Sequence, residues 1–139
     1  MAITGSSGKT SLKELLGQCL KKKYSTVFSK DSYNNKFGLP ISLSNLNKNT
    51  NYGIFEIGMD KKGEIDYLSK IIKPEIGVIT NISYAHAKNF NSLIDIAKAK
   101  SEIINNIKSN GTIVLNRDDK FFNFFYKLAI KKKLKVVSF

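Results

Sequence analysis

The sequence predicts an α/β domain: a mostly parallel β-sheet with helices on both faces. Three observations lead there. Short runs rich in Ile and Val, such as "IGVIT" at 76–80 and "TIVLN" at 112–116, read as strands covered on both sides. Between such runs the apolar residues recur at helical spacing, so strand and helix alternate along the chain. A glycine-containing stretch, "GSSGKTS" at 5–11, separates the first strand from the first helix, at the sheet edge where α/β proteins bind ligands.

Each element follows from a local pattern. The first strand is short, Ala2-Ile3-Thr4. Leu12, Leu15, Leu16, Cys19 and Leu20 predict a helix over 9–22. "YSTVF" (24–28) reads as a strand, and "KDSYNNKFGLP" (30–40) as a loop from its Asn, Gly and Pro content. A short helix is expected after Pro40, a residue suited to a first helical turn. "YGIFEIG" (52–58) is a strand, Ile65, Leu68, Ile71 and Ile72 mark a helix, and 76–80 is the next strand. Ser92 and Asp95 resemble a capping box at the start of a helix over 92–108. A strand at 112–116, a helix over 119–131 and a strand "KVVSF" at 135–139 complete the alternation. Because the chain begins and ends within strands, it is expected to be an excised or truncated part of a larger protein.

With 139 residues the chain suits a single domain with a proper core. No apolar run approaches the ~20 residues of a membrane span. The N-terminus lacks the charged-then-apolar pattern of a secretory leader, and Cys19 is the only cysteine, so a cytoplasmic setting is expected. The formal charge of +12 raises the possibility of nucleic-acid binding. Much of the excess lies in Lys21–Lys23, Lys61–Lys62 and Lys131–Lys133, of which the first and last fall at predicted helix ends. Aromatic residues are not interleaved with these runs, so solvated faces and small anionic ligands are the expectation, with no nucleic-acid partner. A basic binding module with an incidental glycine loop is the rival reading.

The strand ends carry the chemistry. The first strand delivers Gly5 to Thr10, the third Glu56, the fourth Asn81 and then His86, and the fifth Asn116 and Asp118. The loop lacks the glycine that the spacing G-x-x-x-x-G-K-[ST] would put at position 3, which is Ile3. Gly5 and Gly8 still allow the backbone to curl its N–H groups around a phosphate, ahead of a helix N-terminus. Lys9 can neutralise β/γ-phosphates and the Thr10 hydroxyl can sit on Mg²⁺. A plain strand-turn-helix junction is the alternative. Glu56 lies in an otherwise buried-type strand, so it needs a cation or donors unless that strand is an exposed edge. His86 is the only histidine and could be structural or a ligand. Lys100 shares the helical stripe of Leu93, Ile96, Ala97, Ile103, Ile104 and Ile107, so it must snorkel, pair or lose its charge.

These segments together resemble the central ATPase domain of the Mur ligases. "GSSGKT" is similar to the family's short loop G-[ST]-x-G-K-[ST], and "SYNNKFGLP" to its N-N-x-x-G-x-P segment. "TNISYAHAKNFNSLIDIAKAKSEI" resembles the A-H…F-x-S…A-K-x-E-I run, and "VLNRDD" resembles N-x-D-D. "FEIGMDKKGEI" is similar to the signature of the branch that adds D-alanyl-D-alanine. Two departures stand out: Ala87-Lys88 replaces the usual Leu-Glu, and Lys61 stands where histidine is common.

The resemblance implies a P-loop NTPase-like fold and a three-domain, monomeric ligase. Residues 1–139 would be part of its central domain, with the UDP-sugar domain and the C-terminal domain absent. The implied reaction uses ATP and Mg²⁺ to phosphorylate the carboxylate of UDP-MurNAc-tripeptide. The amine of D-Ala-D-Ala then attacks the acyl phosphate to give an amide, in peptidoglycan synthesis. The fragment alone is expected to be inactive. The resemblance implies ATP binding by Gly5, Ser6, Ser7, Gly8, Lys9, Thr10, Ser11 and Asn116. It implies metal binding by Thr10, Glu56, His86 and a carbamylated Lys100, with Lys9, His86 and Lys100 catalytic and Asn35 and Asn81 near substrate. A relative such as folylpolyglutamate synthase is the alternative within the fold.

Overall fold

The computed structural model describes residues 1–84 and 89–139. In chain order the elements are β1 (Ala2–Thr4), α1 (Lys9–Lys21), β2 (Thr26–Phe28), α2 (Gly38–Ser44), β3 (Tyr52–Glu56) and α3 (Glu64–Ile72). They continue with β4 (Ile76–Ile79), α4 (Leu93–Asn106), β5 (Thr112–Leu115), α5 (Phe122–Lys131) and β6 (Lys135–Ser138). The strands form one sheet in the order β2-β3-β1-β4-β5-β6. Every pairing among them is parallel. The expected α/β architecture is therefore present, with the sheet wholly parallel among the described residues.

Alternation of side chains along the strands splits the core into two layers. Ala2, Phe55, Ile79, Ile113 and Leu115 face one side, where they pack with Ile65 and Leu68 of α3, Ile96 and Ile103 of α4, and Phe125 of α5. Ile3, Ile54 and Val78 face the other side and meet Leu12, Leu16 and Leu20 of α1. Helices thus cover both faces. No helix among the described residues is long and apolar enough to cross a membrane.

Local hydrogen bonding moves several boundaries from the sequence expectation. β2 begins at Thr26 rather than 24, because the N–H groups of Lys23 and Tyr24 turn back to Leu20 O and close α1. α2 starts at Gly38, before Pro40, because Asn35 Oδ1 accepts from the N–H groups of both Phe37 and Gly38 at 3.0 Å. Pro40 then lies in the first turn, where its missing N–H costs nothing. α5 starts at Phe122 rather than 119, because Asp119 Oδ1 accepts from Phe121 N at 2.8 Å and holds a turn. The α1 stripe also differs. Leu15 and Cys19 are exposed, and the buried positions are Lys13 and Gly17.

The order of strands sets the site. From β1 the chain crosses to β2 on one side, and from β4 it crosses to β5 on the other. The carboxyl ends of β1 and β4 are adjacent and the chain leaves them in opposite directions, which marks the switch point where open α/β sheets bind ligands.

Candidate nucleotide site

The loop after β1 is held from below by the segment after β4. Gly5 has φ of 149°, and a Cβ there would lie 1.8 Å from Thr80 Oγ1, so only glycine permits this approach. Thr80 Oγ1 donates to Ser7 O at 2.6 Å, and Ser6 N donates to Asn81 O at 2.9 Å. Asn81 Oδ1 accepts from Ser7 N at 3.0 Å, while Asn81 Nδ2 donates to Ser7 Oγ at 2.8 Å. Ser6 Oγ accepts from Ser83 N at 2.9 Å and also contacts Ser83 O at 3.0 Å. The loop is thus braced by the protein's own backbone and side chains.

Above it, Gly8 takes a left-handed conformation at the N-cap of α1 and offers no side-chain oxygen. The first N–H groups of this 13-residue helix therefore remain uncapped by a side chain, with the positive end of the helix at the loop. Lys9 curls back until its Nζ lies 3.5 Å from Ser6 O. Ser7 and Ser11 are exposed beside it.

Glu56 ends β3 and is only 1% exposed. It accepts from Thr10 Oγ1 through one oxygen at 2.7 Å and from Asn34 Nδ2 through the other at 2.7 Å. Lys100, on the inward face of α4, is 5% exposed and donates to Gly5 O at 2.9 Å. Burial, and secondarily the charge of Lys9, pushes its ammonium down from 10.5 to about 7. Of the fates open to it, snorkelling is ruled out. A cavity of about 200 Å³ lies among Gly5, Ser6, Lys9, Asn34, Asp60 and Lys100. A larger groove of about 610 Å³ adjoins it along Asn34, Gly58, Met59 and Asp60.

The donor set suits a magnesium nucleotide. A threonine hydroxyl and a buried carboxylate are hard oxygen donors, placed at a helix N-terminus beside uncapped N–H groups. Among the described residues no cluster of three or more His, Cys, Asp or Glu could cage a metal alone.

The structure brings Gly5 to Thr10, Glu56 and Asn81, all expected at strand ends, to one place, and α4 adds Lys100 from its inward face. Asn81 spends its amide on bracing Ser7. Asn35 caps α2, and its neighbour Asn34 is the residue that reaches Glu56. Asn116 folds onto its own turn, its Oδ1 accepting from Asp118 N at 3.0 Å. Asp119 links the segments after β4 and β5, accepting from Ile82 N at 2.7 Å. His86 lies outside the described residues. Sequence reasoning missed Asn34, Thr80, Asp119 and Lys13. Lys13 carried a readable signal, since it lies three residues before Leu16 and four before Gly17 on an inward face. Assigning Leu15 and Cys19 to that face concealed it.

Residues 3–139 match the Mur ligase middle domain family. The chain is 43% identical over 142 residues to UDP-N-acetylmuramoyl-tripeptide–D-alanyl-D-alanine ligase of Buchnera aphidicola subsp. Acyrthosiphon pisum, covering 96% of this chain and 31% of that protein. MurF of Acinetobacter baumannii superposes with a TM-score of 0.93 at 38% identity, over 99% of this chain and 30% of that one. MurF of Thermotoga maritima, solved in complex with ADP, superposes with a TM-score of 0.87 at 32% identity, over 99% of this chain and 31% of that one. The chain therefore spans about a third of the length of these relatives. It belongs to the Mur ligase middle domain family.

Proposed function

We propose that this domain binds ATP with Mg²⁺ and serves a ligase that joins D-Ala-D-Ala to UDP-MurNAc-tripeptide in cytoplasmic peptidoglycan synthesis. The observation that carries this reading is the pair Thr10–Glu56, a buried carboxylate on a hydroxyl at the mouth of a braced phosphate loop. The relatives reported above share the reading through their names, and one of them was solved with ADP. In this proposal residues 1–139 act as part of a central domain, alongside a UDP-sugar domain and a C-terminal domain, in a monomeric enzyme. The reaction would transfer the γ-phosphoryl group of ATP to the tripeptide carboxylate, and the amine of D-Ala-D-Ala would then displace phosphate. The bound Mg²⁺ would supply charge neutralisation between the phosphates.

The residues of the chain do the rest. The uncapped N–H groups of α1, with the loop 5–8, would hold the phosphates, and Lys9 would swing from Ser6 O onto them. Thr10 and Glu56 would hold the cation. Lys100 fits a carbamylated ligand because the neutral amine is the form that adds CO₂, releasing a proton and leaving a carboxylate. Burial supplies that neutral amine near pH 7. His86, Ser11 and Asn116 are assigned to the site, and Asn35 and Asn81 to the substrate side, by the family resemblance.

Isothermal titration of ATP into the protein, with and without Mg²⁺, tests the reading. We expect Mg²⁺-dependent binding that Lys9→Ala weakens by roughly ten-fold or more, as for loss of one buried charge contact. In the full-length protein, ADP release should require D-Ala-D-Ala. Indifference to that dipeptide would overturn the substrate assignment, and absence of ATP binding would overturn the site.

A further inference from the structure

We infer that Lys13 is a positioning residue that orients Glu56 by tying the β2–α2 segment to the phosphate-loop helix. The inference rests on reading Thr10–Glu56 as a magnesium-nucleotide site. Lys13 is 0% exposed and stands three residues after Thr10, one turn along α1. A buried ammonium has lost its water and needs acceptors for its N–H groups. It finds Ser29 O at 2.6 Å, Asp31 O at 2.6 Å and Glu14 Oε1 at 2.9 Å. An apolar side chain would fill this space without the cost of burying a charge. What the lysine adds is a tether from α1 to two main-chain carbonyls just past β2.

The tethered segment leads directly to Glu56. Ser29 Oγ accepts from Glu56 N at 3.3 Å. Asp31 has φ of 46°, and the N–H groups of Tyr33 and Asn34 bond back to Lys30 O and Ser32 O, which folds the chain tightly. Asn34 arrives against Gly58, whose N–H donates to Asn34 O at 2.8 Å. A Cβ on Gly58 would lie 3.0 Å from the Asn34 carboxamide, so this glycine leaves the room that Asn34 uses. From there Asn34 holds one oxygen of Glu56 while Thr10 holds the other. Both restraints trace back to α1, one through Thr10 directly and one through Lys13 and the 29–34 turn.

A double-mutant cycle in the full-length protein tests this, with Lys13→Met, Asn34→Ala and their combination. The readout is ATP affinity by titration calorimetry across a Mg²⁺ series, beside thermal melts. We expect each single variant to weaken the Mg²⁺-dependent part of binding by roughly ten-fold, the size seen for residues that orient metal ligands. The double variant should be no worse than the weaker single one, since both break one chain of contacts. ATP binding without Mg²⁺ should be unchanged. Multiplied losses in the double variant, or wild-type Mg²⁺ dependence in Lys13→Met, would overturn the inference. If Lys13→Met does not fold, Lys13→Gln goes through the same cycle. Wild-type behaviour there, or loss of fold in both, overturns it too, since the lysine would then hold the domain rather than the carboxylate. A wild-type protein without Mg²⁺-dependent binding would overturn the site reading itself, which separates the two failures.

Discussion

Lys13 and Lys100 are both lysines on inward helix faces, and their surroundings give them different chemistry. Lys13 has acceptors for its three N–H groups. Lys100 has Gly5 O and lies near the positive charge of Lys9, and it is pushed down to about 7. Its effect on stability has a definite sign. Below pH 7 both folded and unfolded states carry the proton, and the cost of the buried charge is fully present. Between about 7 and 10.5 the unfolded chain binds more protons than the folded one, so stability rises with pH across that window. Lys100→Met should therefore be more stable than the wild type at pH 7, on the order of a few kcal/mol. Thermal melts of the two proteins should converge as pH approaches 10. On the proposed ligase reading the same variant should lose activity in the full-length protein, so stability and activity would move in opposite directions. A variant no more stable at pH 7 would show that the charge is better solvated than its burial indicates.

At the scale of elements, caps divide into those that build the scaffold and those that shape the site. Ser92 starts α4: its Oγ accepts from Asp95 N at 3.3 Å and donates to Asp95 Oδ2 at 2.6 Å. Ser92→Ala should cost about 1 kcal/mol in denaturant unfolding and leave Mg²⁺-ATP affinity unchanged. The start of α3 is capped from outside instead. Glu102 of α4 accepts from Gly63 N at 2.9 Å and Asp66 N at 3.1 Å, which fixes the end of the 58–63 loop beside the site. The Ser92 cap was legible in the sequence because its partners are three residues apart. The Glu102 cap was not, since its partner Gly63 is 39 residues away and depends on α3 packing against α4. Asn34 and Asn35 make the same point within one dipeptide. Composition marks both as turn residues, and only the path of the turn decides which one meets Glu56.

For the whole molecule, the parallel sheet places two of the lysine runs away from the phosphate loop. Helices run opposite to the strands they connect, so α1 and α5 begin at the carboxyl edge and end at the other one. Lys21 and Lys22 at the end of α1, and Lys131 and Lys132 at the end of α5, therefore sit away from the phosphate loop. All four complement the negative ends of their helices. Changing Lys131 and Lys132 to Gln should leave Mg²⁺-ATP affinity unchanged in titrations at low and moderate salt. A salt-sensitive loss would mean that these charges act on the nucleotide over a long range.

By itself the sequence determined the alternation of strand and helix, the contiguous phosphate loop from Gly5 to Thr10, and the inward stripe that carries Lys100. Each of these is encoded within a few residues by backbone geometry, turn chemistry or hydrophobic period. The tertiary structure alone decided the strand order, the brace of Thr80, Asn81 and Ser83 under the loop, the contact of Lys100 with Gly5 O, and the path from Lys13 through Asn34 to Glu56. Those contacts join residues up to 95 positions apart. Such pairs meet only once the sheet has chosen its neighbours, and a periodic pattern carries no record of that choice.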